Sequence, residues 1–488
     1  MMEAKRKNAS FTASAVMLGI VIGILILGII FLGLDAQVPI LVSSAILMIY
    51  GKFYRKLSWP EMRDAIVESI GTAIEVMIII LLIGCTVGTW ISSGTVPMII
   101  YYGLQFFSPR FFWFSIVIIC SIMSLVTGSS WTTMGTVGVA FMGVGSGLGL
   151  NPAITAGAIV CGAYFGDKQS PLSDTTNFAA AVAGTDLYKH VKSMLYTTGP
   201  ALIITAIIYL IMGIHISGNS DLSAVSTLRD GLTQCYHFNF VLILPVIFMI
   251  LCMIIKIPAI PTLIGCTLMG VICTTIIQGA SFSDAMTYVY SGFESNTGNE
   301  TLDSLLTRGG MTSMYYTIAL MFMSLTMAGL LQKTEIMSCL VGKISHKLKN
   351  RQTLIPVQIV TGFVLSYIAA DPYLSMLLSA NAYADKYDEL ELDRCVLSRT
   401  LEDSGTLVCP IVPWGSNGVY TAATLGVATI SYIPFYFMGF ITPIFSILCA
   451  LTGIGIFYKQ HNQKSVNEYN RKKEKQISKE YVSSIDFK

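Results

Sequence analysis

The 488-residue chain is predicted to be an all-α polytopic membrane protein. Two inverted-topology repeats are expected, each with a re-entrant helical hairpin and an interrupted transmembrane helix. Three observations carry this reading. Hydrophobic residues make up 53% of the chain and charged residues only 12%, half of the ~25% usual in a soluble domain, and the mean hydropathy is +0.67. Apolar runs of the length that crosses a bilayer, about 20 residues, recur along the chain. Features of the first half return in the second at an offset near 240, as an internal repeat requires. A soluble multidomain enzyme is excluded for lack of polar surface. The 42 Gly and 16 Pro are scattered, which excludes collagen-like and low-complexity chains.

The first apolar run, Phe11 to Leu34, follows Lys5, Arg6 and Lys7. It is longer than the ~7–15 residues of a signal-peptide core, so it reads as a first span. Further spans are expected at 70–91, 193–216, 238–256, 258–279, 311–333 and 432–457, with a shorter one at 38–50 that must extend into its flanks. Lys and Arg crowd the expected loop 51–63, the loop 187–192 and the segment 333–351, whereas the polar loops 217–237 and 281–310 hold only Arg229 and Arg308. The excess of basic loops on one side predicts that both termini are cytoplasmic. Eight Lys and Arg against four acids after position 458 predict a solvated cytoplasmic tail, 458–488, with no nucleic-acid partner. The 11 Cys contain no CxxC pair. Cys85, Cys120, Cys161, Cys252, Cys266 and Cys449 lie in apolar runs and read as small buried hydrophobes.

Between the spans lie regions where apolar sequence is broken by Gly, Ser, Thr, Pro and Asp. Residues 1–216 form the expected first repeat, with a hairpin near 111–147 and a broken helix near 151–184. Residues 217–457 form the second, with a hairpin near 353–385 and a broken helix near 395–428. The pairs run 70–91 with 311–333, Gly128-Ser129-Ser130 with Ala370-Asp371-Pro372, and Pro200 with Pro443. A hairpin does not cross, so each half crosses five times, and an odd count inverts the second half. Non-helical backbone at membrane depth leaves N–H and C=O groups free, tolerable only inside protein or beside water. Paired interruptions of this kind mark secondary transporters.

The densest polar cluster is Gly166-Asp167-Lys168-Gln169-Ser170-Pro171-Leu172-Ser173-Asp174-Thr175-Thr176-Asn177. It separates two apolar runs that are each too short to span, which puts Asp167 and Asp174 near membrane depth. Ionisable side chains there are expensive and functional by default. Carboxylate, hydroxyl and amide oxygens suit a hard cation such as Na⁺, and a carboxylate can also exchange protons.

Together with Gly184-Thr185-Asp186-Leu187, His190, Met194 and Pro200, this cluster resembles the NhaC family of Na⁺/H⁺ antiporters. The similarity extends more loosely over the whole chain, through Gly128-Ser129-Ser130-Trp131-Thr132 and Trp414-Gly415-Ser416-Asn417. The resemblance implies a Na⁺/H⁺ antiporter of the cell membrane that works by alternating access. Its alternative is a Na⁺- and H⁺-coupled exchanger of organic acids, of the malate/lactate kind. Na⁺ and H⁺ are then cargo, with no further cofactor; the bilayer and a homodimer mate are the expected partners. Carried onto the matching motif, the ion site would comprise Asp167, Ser170, Ser173, Asp174, Thr175 and Thr176, with Asp174, Ser173 and Thr175 holding Na⁺; the adjoining Asn177 is a further candidate.

In the second half, Asp403 ranks next, its alternative being a solvated acidic loop. Ser416 and Asn417 lie beyond it. Ser129 and Ser130 at one hairpin tip face Asp371 at the other across a central site, although Asp371 before Pro is also an ordinary turn. Glu75 is expected at the cytoplasmic interface, pairing with Arg63 or Lys56, and His190 is expected at the cytoplasmic surface. Arg399 is expected to pair with Glu402 three residues on; if the cargo is an organic anion, Arg399, Asn177, Asn381, Asn417 and the hairpin-tip hydroxyls could hold it. Asn299-Glu300-Thr301 fits a glycosylation sequon on an external loop. No enzyme is expected: Tyr164 stands where an intramembrane aspartyl protease needs Gly, HExxH and GxSxG are missing, and the five His are dispersed.

Overall fold

The computed structural model describes residues 10–71, 73–215, 222–255, 257–297, 302–303, 306–345 and 348–459. The sequon at 299–301 and all of the basic tail beyond residue 459 lie outside them. The described chain is helical throughout, since an apolar chain in lipid must satisfy its backbone internally. Among the described residues five helices are long and apolar enough to cross a membrane: Phe11–Ile29, Pro109–Thr127, Leu187–Ile214, Met311–Lys333 and Arg351–Ala369. Three bent pairs bring the total to eight if each is one span. One of these joins Met77–Ser92 to Thr95–Phe106 at 69°, turning at Gly94 with φ 87°. The short run at 38–50 does extend into its flanks, as Gln37–Phe53.

Three expected loops contain helices. Within 51–63 the loop is short, and helix Trp59–Gly71 follows it. Its start is a capping box: Ser58 Oγ accepts from Glu61 N, and Glu61 Oε2 accepts from Ser58 N at 2.8 Å. This reciprocal bonding satisfies the helix's first donors. The loops 217–237 and 281–310 likewise contain Leu222–Cys235 and Phe282–Ser291, the second capped by Ser281. The six cysteines read as apolar are all buried.

Two helical hairpins and two broken helices surround the centre. The first hairpin runs up Pro109–Thr127, turns at Gly128 (φ 70°), and returns through 130–147. Phe112 near its start meets Phe141 on the returning limb, ring centroids 6.0 Å apart. The second runs up Arg351–Ala369, turns at Ala370 (φ 59°), and returns as Pro372–Glu389. Its limbs are tied by Ser366 to Ser375 at 2.9 Å and by Tyr387 to Gln358 at 2.6 Å. The two tips have the same local build. Ser129 (φ −147°, ψ 116°) caps its helix by accepting from Thr132 N, and Asp371 (φ −141°, ψ 130°) by accepting from Leu374 N. Each tip therefore stops one helix with a left-handed residue and starts the next with a side-chain cap.

The first broken helix is Pro152–Gln169 followed by Asp174–Ala183. The second is Arg394–Ser404 followed by Ser416–Leu425. Each ends on a left-handed glycine, Gly184 (φ 73°) or Gly426 (φ 69°). Long helices follow, Leu187–Ile214 around Pro200 and Phe437–Thr452 around Pro443. Gly162 and Gly166 let the first broken helix sit directly on the first hairpin: a Cβ at either would strike a backbone carbonyl, of Val117 or Ser121. Small residues at such crossings let backbones approach closely, and this one sets Asp167 beside the hairpin tip.

Candidate functional site

Both tips and both breaks line one cavity of about 660 Å³. The first tip contributes Thr127 to Thr132, the second Asp371 to Tyr373. The first break contributes Asp167, Pro171, Leu172, Asp174, Thr175 and Asn177, and the second contributes Thr406, Ser416 and Asn417. Ile79, Ile83, Met249 and Leu263 form apolar walls. Thus nine residues expected from sequence meet at one place: Asp167, Asp174, Thr175, Asn177, Ser129, Ser130, Asp371, Ser416 and Asn417.

The first break is built from its own side chains. Ser170 Oγ accepts from Leu172 N at 3.2 Å, and Thr176 Oγ1 donates to the Asp167 carbonyl at 3.2 Å. Ser173 caps Asp174–Ala183, and its Oγ lies 3.0 Å from Thr175 Oγ1. Asn177 Nδ2 donates to the carbonyls of Pro171 and Ser173 at 2.9 and 2.7 Å. Ser170, Ser173 and Thr176 therefore shape the break from behind, while Asp174 and Thr175 face the cavity. These bonds satisfy backbone groups that the interruption would otherwise orphan.

The two carboxylates differ in setting. Asp167 is buried; its Oδ2 accepts from Ser130 Oγ at 2.7 Å, and its Oδ1 has no partner among the described residues. Asp174 is exposed to the cavity, accepting from Thr175 N at 3.0 Å and from the Tyr373 hydroxyl at 2.7 Å. Tyr373 thus links the second tip to the first break. A parallel link joins the first tip to the second break, where Trp131 Nε1 donates to Asn417 Oδ1 at 2.8 Å. Trp131 also stacks on Tyr420, centroids 4.1 Å apart, and the Tyr420 hydroxyl donates to the Trp131 carbonyl. Among the described residues no three His, Cys, Asp or Glu gather as metal ligands. The oxygens on offer to a cation are single carboxylates flanked by hydroxyls.

Several expectations are corrected. Glu75 lines the cavity, while Arg63 bonds its neighbour Asp64 at 2.7 Å; helix Trp59–Gly71 ends before Ile74–Ser92 begins, so Glu75 lies in the first turn of a new helix. His190 is fully buried, its Nδ1 2.7 Å from Ser398 Oγ, because Leu187–Ile214 packs its polar first turn against Arg394–Ser404. Arg399 does not pair with Glu402. Its Nη1 donates to the Gly455 carbonyl at 2.8 Å, and Glu402 faces Lys168 at 2.8 Å. Asp403 is no solvated loop: it is fully buried on Arg394–Ser404, where its Oδ1 accepts from Thr197 Oγ1 at 3.2 Å, and it is not part of the cavity lining. Asn381 is exposed on the second hairpin, also outside that lining. Sequence reasoning missed Tyr373, Lys168 and Glu402 as partners. Only Lys168 carried a signal, a lone cation inside the polar motif.

Helices that break in pairs around an acidic cavity define a membrane protein of the secondary-transporter class. A family model described as the Na⁺/H⁺ antiporter family matches residues 162–454, which include both breaks and the second tip. The chain is 38% identical to the Na⁺/H⁺ antiporter NhaC of Alkalihalophilus pseudofirmus, over 93% of this chain and 98% of that one. It is 37% identical to the malate-2H⁺/Na⁺-lactate antiporter of Bacillus subtilis, over 92% and 96%. The solved structure of Neisseria gonorrhoeae MtrF, described among antimetabolite efflux pumps, aligns at 12% identity with a TM-score of 0.41, over 91% of this chain and 98% of that one. The chain belongs to the NhaC family of Na⁺/H⁺ antiporters.

Proposed function

We infer that the protein exchanges Na⁺ for H⁺ across the cell membrane by alternating access. The observation that carries this reading is the charge of the cavity. Its described lining holds four carboxylates, Glu75, Asp167, Asp174 and Asp371, and no Lys, Arg or His. Such a lining attracts cations and repels organic acids. A carboxylate cargo would need basic donors, yet Arg399 is buried against backbone carbonyls. The hydroxyls of the lining and the amides of Asn177 and Asn417 are neutral and would leave the cargo's charge unbalanced. The organic-acid alternative is therefore the less well supported.

Asp174 leads the site, with its second-tip partner Tyr373 and its neighbour Thr175. Asp167 assists through the oxygen that Ser130 leaves free. Na⁺ at these oxygens excludes a proton from the same carboxylates, and a proton excludes Na⁺. Either cargo neutralises the acid, whereas the empty site would carry bare charge through a low-dielectric path and cross poorly. Competition for one site thus gives obligatory exchange. Ser173, Ser170 and Thr176 hold the break open from behind, and Asp403 acts outside the cavity. The matching tips, breaks and terminal glycines support two repeats, 1–216 and 217–457, and the basic loops support their inversion with both termini cytoplasmic.

The test uses purified protein in liposomes with an internal pH dye and an imposed Na⁺ gradient. Asp174→Asn is expected to elute and melt like the wild type and to abolish Na⁺-driven proton movement. Unchanged movement would overturn the assignment.

A further inference from the structure

Lys168 and Glu402 are both wholly buried, with Nζ 2.8 Å from Oε2. Charges taken this far out of water persist only when paired and bonded. Each sits in the last turn before a break, Lys168 on Pro152–Gln169 and Glu402 on Arg394–Ser404. The pair therefore joins the two broken helices where both are about to open. An ammonium has three donors, and one of them goes to Thr175 Oγ1 at 2.9 Å. Thr175 lines the cavity, and its own N–H is bonded to Asp174 Oδ1 at 3.0 Å. Lysine thus reaches the ion site from behind, through a threonine, without lining the cavity itself.

Two consequences follow from charge and geometry. A bare ammonium this close would repel Na⁺, but Glu402 balances it, so the pair presents little net charge. The bond also occupies one lone pair of the Thr175 hydroxyl and fixes where the rest of that oxygen points. We propose that Lys168, held by Glu402, is a positioning residue that orients the Thr175 hydroxyl beside Asp174 and so sets the affinity for the coupling cation. The proposal rests on the Na⁺/H⁺ exchange reading.

The experiment measures Na⁺-driven proton flux in liposomes against Na⁺ concentration, with the thermal midpoint of each variant taken in parallel. Single removal of either partner strands a buried charge, so the variants are the neutral pairs K168M/E402M and K168Q/E402Q, the second retaining a hydrogen bond if the first fails to fold. Both are expected to keep the wild-type midpoint and maximal rate to within about twofold, while the half-saturating Na⁺ rises about tenfold, the scale of one lost charged hydrogen bond. T175V alone is expected to give the same rise, and adding it to either pair to give no further rise, because residues acting through one contact are non-additive. Half-saturation at the wild-type value in the neutral pairs, or shifts that multiply with T175V, would overturn the positioning role. A wild type that moves no protons on a Na⁺ gradient would overturn the exchange reading and this proposal with it; wild-type flux with unshifted pairs overturns the proposal alone.

Discussion

At the first break the chain leaves α-helix only at 170–173; at the second it leaves at 405 and resumes at 416, with one 3-10 turn, Cys409–Ile411, between. Both breaks carry two ionisable residues just before them, Asp167 and Lys168 in one and Glu402 and Asp403 in the other. Their fates differ. The short break keeps Asp167 and Asp174 at the cavity, while the long one turns its acids inward and offers Thr406, Ser416 and Asn417 instead. Two breaks at matching places thus differ in what they bring to the cavity: one brings carboxylates, the other neutral oxygens, with Glu402 buried as the counter-charge of Lys168.

After the complete loss expected at Asp174, the next largest effect tests that difference directly. Asp167→Asn is expected to cut Na⁺-driven proton flux about a hundredfold, the upper range for a lost charged contact of ~3 kcal/mol. Asp403→Asn, which alters a side chain outside the cavity, is expected to cut it far less. Equal losses would erase the distinction between the breaks.

Stability should show the reverse order. Glu402→Gln leaves Lys168 buried without its counter-ion and is expected to cost about 3 kcal/mol in detergent unfolding. Asp174→Asn, at a cavity-facing position, is expected to cost less than about 1 kcal/mol, as for other exposed polar contacts. A smaller effect concerns the link from the first tip to the second break. Trp131→Phe retains an aromatic ring against Tyr420 but loses the bond to Asn417, and is expected to cost about 1 kcal/mol.

The smallest effect lies outside the apolar stretches, at the polar end of the second hairpin. Arg394 donates to the Asp388 carboxylate and holds it below the usual carboxylate range, with Lys459 adding to the shift. Because the folded value is depressed, the pair stabilises the protein above the ordinary carboxylate range and loses this as pH falls through the folded value. Asp388→Asn is therefore expected to cost less than about 1 kcal/mol at neutral pH. Unfolding of wild type and variant should converge as pH falls below about 4.

What was legible in sequence were interruptions: Gly128, the 166–177 cluster and Ala370-Asp371-Pro372 break apolar runs and brought their neighbours to one cavity. What was not legible were contacts between distant segments. Lys168 and Glu402 lie 234 positions apart by number, and local spacing assigned Glu402 to Arg399 instead. That i, i+3 rule describes a helix surface in water; inside the protein, Arg399 finds the Gly455 carbonyl and Glu402 a lysine from the other half. His190 was misread for the same reason, since charged neighbours in sequence suggested solvent while packing between Leu187–Ile214 and Arg394–Ser404 excluded it; that packing also buries Asp403, as expected of an intramembrane acid, but away from the cavity. Helix Trp59–Gly71 did carry a local signal, Ser58 to Glu61 around Pro60, overshadowed by the basic residues before it.

The central claim is that the acidic cavity carries cations alone. Wild-type protein in liposomes with an internal pH dye, given a Na⁺ gradient and then the same gradient with malate outside and lactate inside, tests it most directly. Proton flux is expected with Na⁺ alone, unchanged by the organic acids. Flux that appears only with the acids present would contradict it.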